Sequence, residues 1–304
     1  MAMNSTLQAP QSGDSARGFV YALTAYILWG FLPFYMKAVA HISPFEVIVH
    51  RVVWSVPIAA MVLMVLGRTA EIRQALTTPR MLAMACLTAS LISINWGIYI
   101  WAIGSGHALD AALGYFINPL FSILLGAILL KEKLSRMQMA AISLVAMAVA
   151  LLTWNAGGLP WVAIALTVSW GFYAFFRKTL PIGPTQGFLL EVLLLTPPAI
   201  AFIIYLTATG QGHFMAGTAV DTWLLAASGL VTAVPLIFYG NGAKLLKLST
   251  IGIMQYIAPS MIFAIAVFIF KEPFDTVRLV AFVMIWSALV IYTLPSLMRS
   301  RAAG

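Results

Sequence analysis

Charge is what this sequence has least of. Of its 304 residues only 9% are charged, while 62% are hydrophobic; a soluble domain carries roughly 25% charged residues. So few charges exclude a mostly water-facing surface, so the chain must use lipid as its solvent. Carboxylates are scarcer still. Asp110, Asp221 and Asp275 are scattered over different segments, which argues against a metal–phosphate centre or a nucleophile beside a His/Asp pair. His107 and Asp110 lie three apart, but in a short loop where a capping or surface role fits better. The single cysteine, Cys86, excludes a disulfide within the chain, and thiolate ligation of a metal is not expected. Nothing matches Gly-x4-Gly-Lys-Ser/Thr, so no P-loop drives the protein. Neither catalysis, nor a metal, nor a cofactor is expected from these absences.

What is present is long apolar runs. Ten are read as helical spans: 18–38, 45–66, 81–103, 109–130, 137–154, 159–179, 186–208, 223–243, 249–270 and 277–297. Their length, about 17–23 residues, matches the roughly 20 that a bilayer requires. Ser43-Pro44 opens the second span, Thr77-Thr78-Pro79 precedes the third, and Gly157-Gly158-Leu159-Pro160 separates two halves. Residues 1–16 are polar and small, and are expected to form a disordered tail. The first apolar run is too long for a secretory signal. The expected fold class is an all-α integral membrane protein.

The net charge of +8 could suggest nucleic acid, but its distribution points to a membrane instead. With the N-terminus inside, thirteen basic residues fall on the cytoplasmic side: Arg17, Arg68, Arg73, Arg80, Lys131, Lys133, Arg136, Arg177, Lys178, Lys244, Lys247, Arg299 and Arg301. Only Lys37, Lys271 and Arg278 fall outside, and Arg51 lies within a span. This is the positive-inside asymmetry. It predicts a multi-pass protein with both termini cytoplasmic.

The chain also repeats itself after about 140 residues. Trp29-Gly30-Phe31-x-x-Phe34-Tyr35-x-Lys37 returns as Trp170-Gly171-Phe172-x-x-Phe175-Phe176-x-Lys178. Pro119 followed by Lys131-Glu132 returns as Pro259 followed by Lys271-Glu272. Five spans per half is an odd number, so the second half enters the membrane from the opposite side. Inverted repeats of this kind give secondary transporters two similar gates around a midplane site. The expected division is 1–16 tail, 17–154 first repeat, 155–298 second repeat and 299–304 tail. The fifth and tenth spans are bland; Ala146 and Ala150 make a small-xxx-small step. These two are expected at the periphery or at a homodimer contact, and the other eight along the pathway.

Within the spans, Arg51 is the sharpest candidate. It lies about six residues, or roughly 9 Å, inside the second helix, where a charge costs at least about 2.5–3.5 kcal/mol. Two readings stand: it grips a negative or carbonyl-bearing group of a solute, or it snorkels or pairs with Glu46 for structure. Glu46, His50 and Trp54 share one face at spacings of four. His50 could titrate near neutral pH or make a structural hydrogen bond. Glu191, the counterpart of Glu46, is a proton-carrier candidate because burial disfavours its charged form; the alternative is a pair with Arg177 or Lys178. Pro119 and Pro259 are matched hinge candidates, beside Tyr115 and Asn118 in one half and Gln255 and Tyr256 in the other. Lys37 and Lys178 are matched gate candidates. Trp29, Asn95, Trp96, Tyr99, Trp170 and Tyr239 complete an aromatic, nearly uncharged lining suited to amphipathic organic molecules.

Taken in order, Ala25-Tyr26-x-x-Trp29-Gly30, His50-Arg51-x-x-Trp54-Ser55, Gly114-Tyr115-Phe116-Ile117-Asn118-Pro119-Leu120 and Gln255-Tyr256-Ile257-x-Pro259 resemble the RarD-type EamA proteins of the drug/metabolite transporter superfamily. The resemblance spans roughly residues 17–298. It implies ten helices in two EamA units, a bacterial inner-membrane location and an exporter-like role for metabolites, amino-acid-like compounds or drugs such as the amphenicols associated with RarD by name. It also marks a departure. The small four-helix exporters of the superfamily exchange protons on a carboxylate in their first helix, and residues 18–38 hold no Asp or Glu. Glu46 or Glu191 would have to substitute for it, or transport is uncoupled. A non-transporting sensor and an intramembrane enzyme are the competing readings.

Overall fold

The computed structural model describes residues 15–67, 69, 72, 76–129, 136–156, 158–179, 183–246 and 254–302. The part of the expected tail before Ser15, and the Lys131-Glu132 pair, lie outside these residues. Ten long helical elements carry the fold, and no strand occurs among the described residues: α1 (Ala16–Ala38), α2 (Pro44–Val65), α3 (Pro79–Gly104), α4 (Ala108–Leu129), α5 (Arg136–Ala156), α6 (Trp161–Thr179), α7 (Pro184–Thr209), α8 (Ala219–Leu245), α9 (Ile257–Ala264, continued as a π-helical turn over Ile265–Ile269) and α10 (Thr276–Ala302). Among the described residues, α1, α2, α3, Thr185–Thr209 of α7 and Ala219–Gly242 of α8 are each long and apolar enough to cross a membrane. Shorter apolar stretches fall in α5, α6, α9 and α10. Helix α10 runs on through residues expected to form the C-terminal tail.

Local chemistry sets the helix ends. The Ser15 hydroxyl accepts from the Gly18 N–H at 3.0 Å and starts α1. Pro44, Pro79 and Pro184 open α2, α3 and α7, where the missing N–H would have no partner anyway. Thr218 and Asp221 form a reciprocal capping box on α8. Gly210 ends α7 with a φ of 69°, a left-handed cap that glycine adopts without strain. The ninth span departs most from expectation. Gln255 and Tyr256 form a turn, and α9 starts only after it. Pro259 therefore sits in a first turn rather than kinking a continuous helix, whereas its counterpart Pro119 is interior to α4.

Glu272 closes α4 from the far end of the sequence. Its two oxygens accept from the backbone N–H groups of Ala108 and Leu109 at 2.8 and 2.9 Å, and it is itself buried. A carboxylate is the favoured partner for the unpaired donors and positive dipole end of a helix N-terminus. Glu272→Ala is expected to lower stability by about 1–2 kcal/mol, with Glu272→Gln nearer wild type, as read by thermal denaturation in detergent.

The main packing obeys one rule: exchanging α1–α5 with α6–α10 maps contacts onto contacts. The α1–α8 contact corresponds to α6–α3, α1–α9 to α6–α4, and α2–α8 to α7–α3; the pairs α2–α7, α4–α9 and α5–α10 map onto themselves. Glycines permit the closest approaches, as expected where helices associate in lipid by packing. A Cβ on Gly114 of α4 would stand 2.8 Å from the Ala163 carbonyl oxygen of α6. Helices α5 and α10, expected at the periphery or between copies, pack on each other within the chain.

Candidate functional site

A cavity of about 130 Å3 lies where the two halves meet, lined from α1, α2, α3, α4, α6, α8 and α9 together with Gln255 in the turn before α9. Its walls follow the repeat. Ile92 and Thr232, Trp96 and Leu236, Tyr99 and Tyr239, Tyr115 and Gln255, and Asn118 and Ala258 are each about 140 residues apart, and both members of every pair line the cavity. So do Trp29 and Trp170. Such positions come from corresponding helices, so both halves of the chain contribute matching residues to the cavity.

Arg51 breaks this symmetry. It is 3% exposed and projects from α2. Its Nε donates to Thr232 Oγ1 of α8 at 2.9 Å, and its guanidinium lies 4.4 Å from the Trp96 ring centre on α3. Thr232 in turn donates to the Ser228 carbonyl at 2.7 Å. The Nη1 of Arg51 and the hydroxyl of Tyr99 are buried without a hydrogen-bond partner in the structure. Buried donors are almost always satisfied, and two that face one cavity mark a place built to meet acceptors. No carboxylate is among the described lining residues, and Arg51 is the charged side chain among them.

The same cavity has an aromatic wall. Tyr26, Trp29 and Tyr239 meet pairwise at ring-centre distances of 5.4–6.0 Å, within the range favoured by edge and offset contacts. Asn95 is held by donating to the Leu166 carbonyl at 3.1 Å and Ser169 Oγ at 2.9 Å, both on α6.

The model of the EamA-like transporter family matches residues 16–154. An uncharacterized transporter of Vibrio cholerae is 39% identical over 97% of each chain. A RarD protein of Streptomyces exfoliatus is 39% identical over 95% of this chain and 91% of its own. The chain belongs to the EamA-like transporter family. A solved crystal structure aligns with a TM-score of 0.59 over 91% of this chain and 96% of its own; at 18% identity it shares the fold alone. This chain is thus a RarD-type EamA protein of the drug/metabolite transporter superfamily, and a multi-pass membrane transporter.

In this EamA-like transporter, Arg51, Trp29, Asn95, Trp96, Tyr99, Tyr115, Asn118, Trp170, Tyr239 and Gln255 all line the one cavity, as does Pro259. The other cavity candidates, His50, Trp54 and Tyr256, do not, and neither does the proton-carrier candidate Glu191. Tyr256 packs with its neighbours beside α9. Trp54 Nε1 donates to His50 Nδ1 at 3.3 Å, and both rings pack on Phe214, at 4.7 Å for His50 and 5.9 Å for Trp54. Glu191 is buried outside the cavity and accepts from the Tyr173 hydroxyl at 3.3 Å. The side chains of Arg177 and Lys178 lie outside the described residues. Lys37 stands 5.5 Å above the Phe270 ring, linking the end of α1 to the end of α9.

Glu46 has a different neighbourhood from the one its spacing suggested. It does not pair with Arg51. Its Oε1 accepts from the His213 N–H at 2.6 Å and its Oε2 from His213 Nδ1 at 2.8 Å. Nearby, His41 Nε2 donates to Asp221 at 2.8 Å. Sequence reasoning did not single out His41, His213 or Phe214 of these connections. The available signal was that two of only four histidines lie in the short connections α1–α2 and α7–α8.

Proposed function

We propose that this protein is a secondary transporter that carries compact, carboxylate-bearing organic solutes across the bacterial inner membrane, in the export direction, by alternating access. The observation that carries this reading is the Arg51 Nη1, without a hydrogen-bond partner among the described residues, in a cavity whose described lining holds no carboxylate. A solute carboxylate would complete the guanidinium fork, with Tyr99 as a second donor. The amides of Asn118 and Gln255 would meet its other polar groups, and the wall of Tyr26, Trp29 and Tyr239 its apolar part. The volume, below the roughly 300–1,000 Å3 of drug-sized sites, favours solutes the size of amino acids over bulkier drugs.

The repeats are assigned to residues 17–154 and 155–298, inverted with respect to each other, with both termini cytoplasmic as the charge asymmetry requires. Exchange of the two halves' conformations would then expose the cavity to one side at a time. Pro119, interior to α4, and the turn at Gln255-Tyr256 are the bending points. Export and proton coupling rest on the family resemblance and on the buried carboxylates.

Proteoliposomes holding the purified protein test this. Amino acids with a free carboxylate are expected to exchange across the membrane, and their methyl esters to exchange at least about tenfold more slowly, since a charge-assisted contact is worth about 1.5–3 kcal/mol. Repeating the measurement with and without a pH gradient separates coupled export from an uncoupled facilitator. If amino acids, other carboxylates and amphenicols all stay where they were loaded, the transporter reading of this cavity fails.

A further inference from the structure

We propose that the end of the bundle holding the α1–α2 and α7–α8 connections is shut by a proton-binding clasp, made of the pairs His41–Asp221 and His213–Glu46, and that protons close it. The inference rests on the alternating-access reading of the cavity, and it goes beyond that reading by naming a gate and the ligand that operates it.

The geometry is that of a clasp. His41 lies in the α1–α2 turn and Asp221 in the first turn of α8, with 2.8 Å between ring nitrogen and carboxylate oxygen. His213 lies in the α7–α8 linker and Glu46 in the first turn of α2, bonded through both ring and backbone. Each pair therefore ties the first half of the chain to the second. The two rings stand edge to face at 6.1 Å, so the pairs form one unit. Phe214, next to His213, is pressed onto His50 and Trp54 of α2, one residue and three from Arg51. Parting the clasp would free this wedge from the helix that carries the solute-binding cation. Both carboxylates are buried, while the side chains of His41 and His213 are 54% and 34% exposed, open to protons from solvent.

Other charged and titratable groups facing this end are few. On α1 they are Tyr35, whose hydroxyl donates to the Leu224 carbonyl at 2.8 Å, and Lys37, which sits over Phe270. On α2 they are His50 and Arg51, both already engaged with Trp54 and Thr232. The facing end of α3 carries His107 after it, its Nδ1 3.1 Å from the Ser105 carbonyl. The far end of α9 is followed by Lys271 and by Glu272, which caps α4. The last turns of α7 and the linker to α8 bring Tyr205 and His213, and the first turns of α8 bring Asp221.

The direction follows from linkage. In the closed arrangement each imidazole faces a carboxylate, and in an open one ring and carboxylate part. The closed arrangement therefore holds the extra protons more tightly, so acid favours it. Protonated, each pair joins opposite charges across a hydrogen bond; deprotonated, the imidazole still donates to the carboxylate but adds no charge of its own, so the closed arrangement loses the attraction between the ions.

Distances across the clasp test this without any solute. With the exposed Cys86 replaced (Cys86→Ser), spin labels are placed on Ala38→Cys and Ala216→Cys of the full chain in lipid nanodiscs, and electron–electron distances are measured at about pH 5 and pH 8. A single short-distance population is expected in acid. A longer one should grow at alkaline pH, the open-to-closed ratio rising roughly tenfold. His41→Gln combined with His213→Gln keeps a hydrogen-bond donor at each position but binds no proton, and its distances should not respond to pH. Should the double variant fail to fold, each single variant should show about half the logarithmic shift. Distances that ignore pH in the parent protein overturn the clasp, and so does a pH response undiminished in the histidine variants. Neither result touches the carboxylate-solute reading, which the flux measurement decides separately.

Discussion

Arg51→Met is expected to abolish solute transport while leaving the folded protein at least as stable as the parent. Function and stability are expected to separate because the guanidinium is a burden on the fold. It is 3% exposed, and one of its nitrogens has no hydrogen-bond partner. Replacing a buried, incompletely paired charge by an apolar side chain of similar length is often neutral or stabilising by about 1–4 kcal/mol. Against this stand the contact with Trp96, of the class worth roughly 1–2 kcal/mol when desolvated, and the bond to Thr232. Thr232 does not become an orphan, since it keeps its own bond to the Ser228 carbonyl. Removing the partner of a desolvated solute carboxylate, in contrast, costs about 2–5 kcal/mol, or roughly 30- to several-thousand-fold in affinity. Arg51→Lys retains charge without the planar fork and should fall between the two. Thermal denaturation in detergent and flux in proteoliposomes read the two effects separately. A structural anchor would show the opposite pattern: Arg51→Met would melt early and whatever protein remained folded would still transport.

Much of this was legible in the sequence, for an identifiable reason. The spans stand out because lipid demands long apolar helices, and nine of them agree with the structure to within a few residues. The repeat paired Trp29 with Trp170 and set Tyr115 and Asn118 against Gln255, while Tyr99 and Tyr239 were read separately as aromatic lining; the structure brings all of these around one cavity. The turn inside the ninth span was not anticipated because the segment reads as nearly continuous apolar residues; positions 249–253, where the expected span begins, lie outside the described residues. The turn at Gln255-Tyr256 has no glycine, and its proline comes three residues later, where it opens a helix as well as it would kink one. The histidine pairs were illegible for a different reason. His213 meets Glu46 across 167 residues, and His41 meets Asp221 across 180. Periodicity places a residue on a helix face but says nothing about which polar connection folds over it. Glu46 was therefore weighed against its sequence neighbour Arg51, while its real partner lay in a polar linker.

The second large effect is expected at Gly229, through packing alone. This glycine lies where α8 crosses α2, and a methyl group built on it collides with the Trp54 backbone and Cβ. Helix propensity by itself favours alanine over glycine by about 1 kcal/mol, so the sign of a substitution here reports the crossing and not the helix. The obstructing atoms are largely backbone and cannot rotate away. Gly229→Val is therefore expected to destabilise by on the order of 3 kcal/mol, and Gly229→Ala by less. Gly97 on α3 is the internal control. A Cβ there would meet only the terminal methyl of Ile48, at 3.2 Å, which a rotamer change can move, so Gly97→Ala should be near neutral. The functional consequence follows from what the crossing carries. Ser55 reaches the Gly229 carbonyl at 3.5 Å, and within one turn on either side stand Arg51 of α2 and Thr232 of α8, 2.9 Å apart. Forcing the helices apart at Gly229 separates the arginine from the threonine that aims it, because positioning of this kind tolerates errors well under 1 Å. Flux should fall more steeply in Gly229→Ala than its loss of thermal stability alone explains, whereas Gly97→Ala should transport like the parent. A Gly229→Ala protein that melts and transports as the parent does would show that α2 and α8 can part without consequence, and that Arg51 is aimed by something other than this crossing.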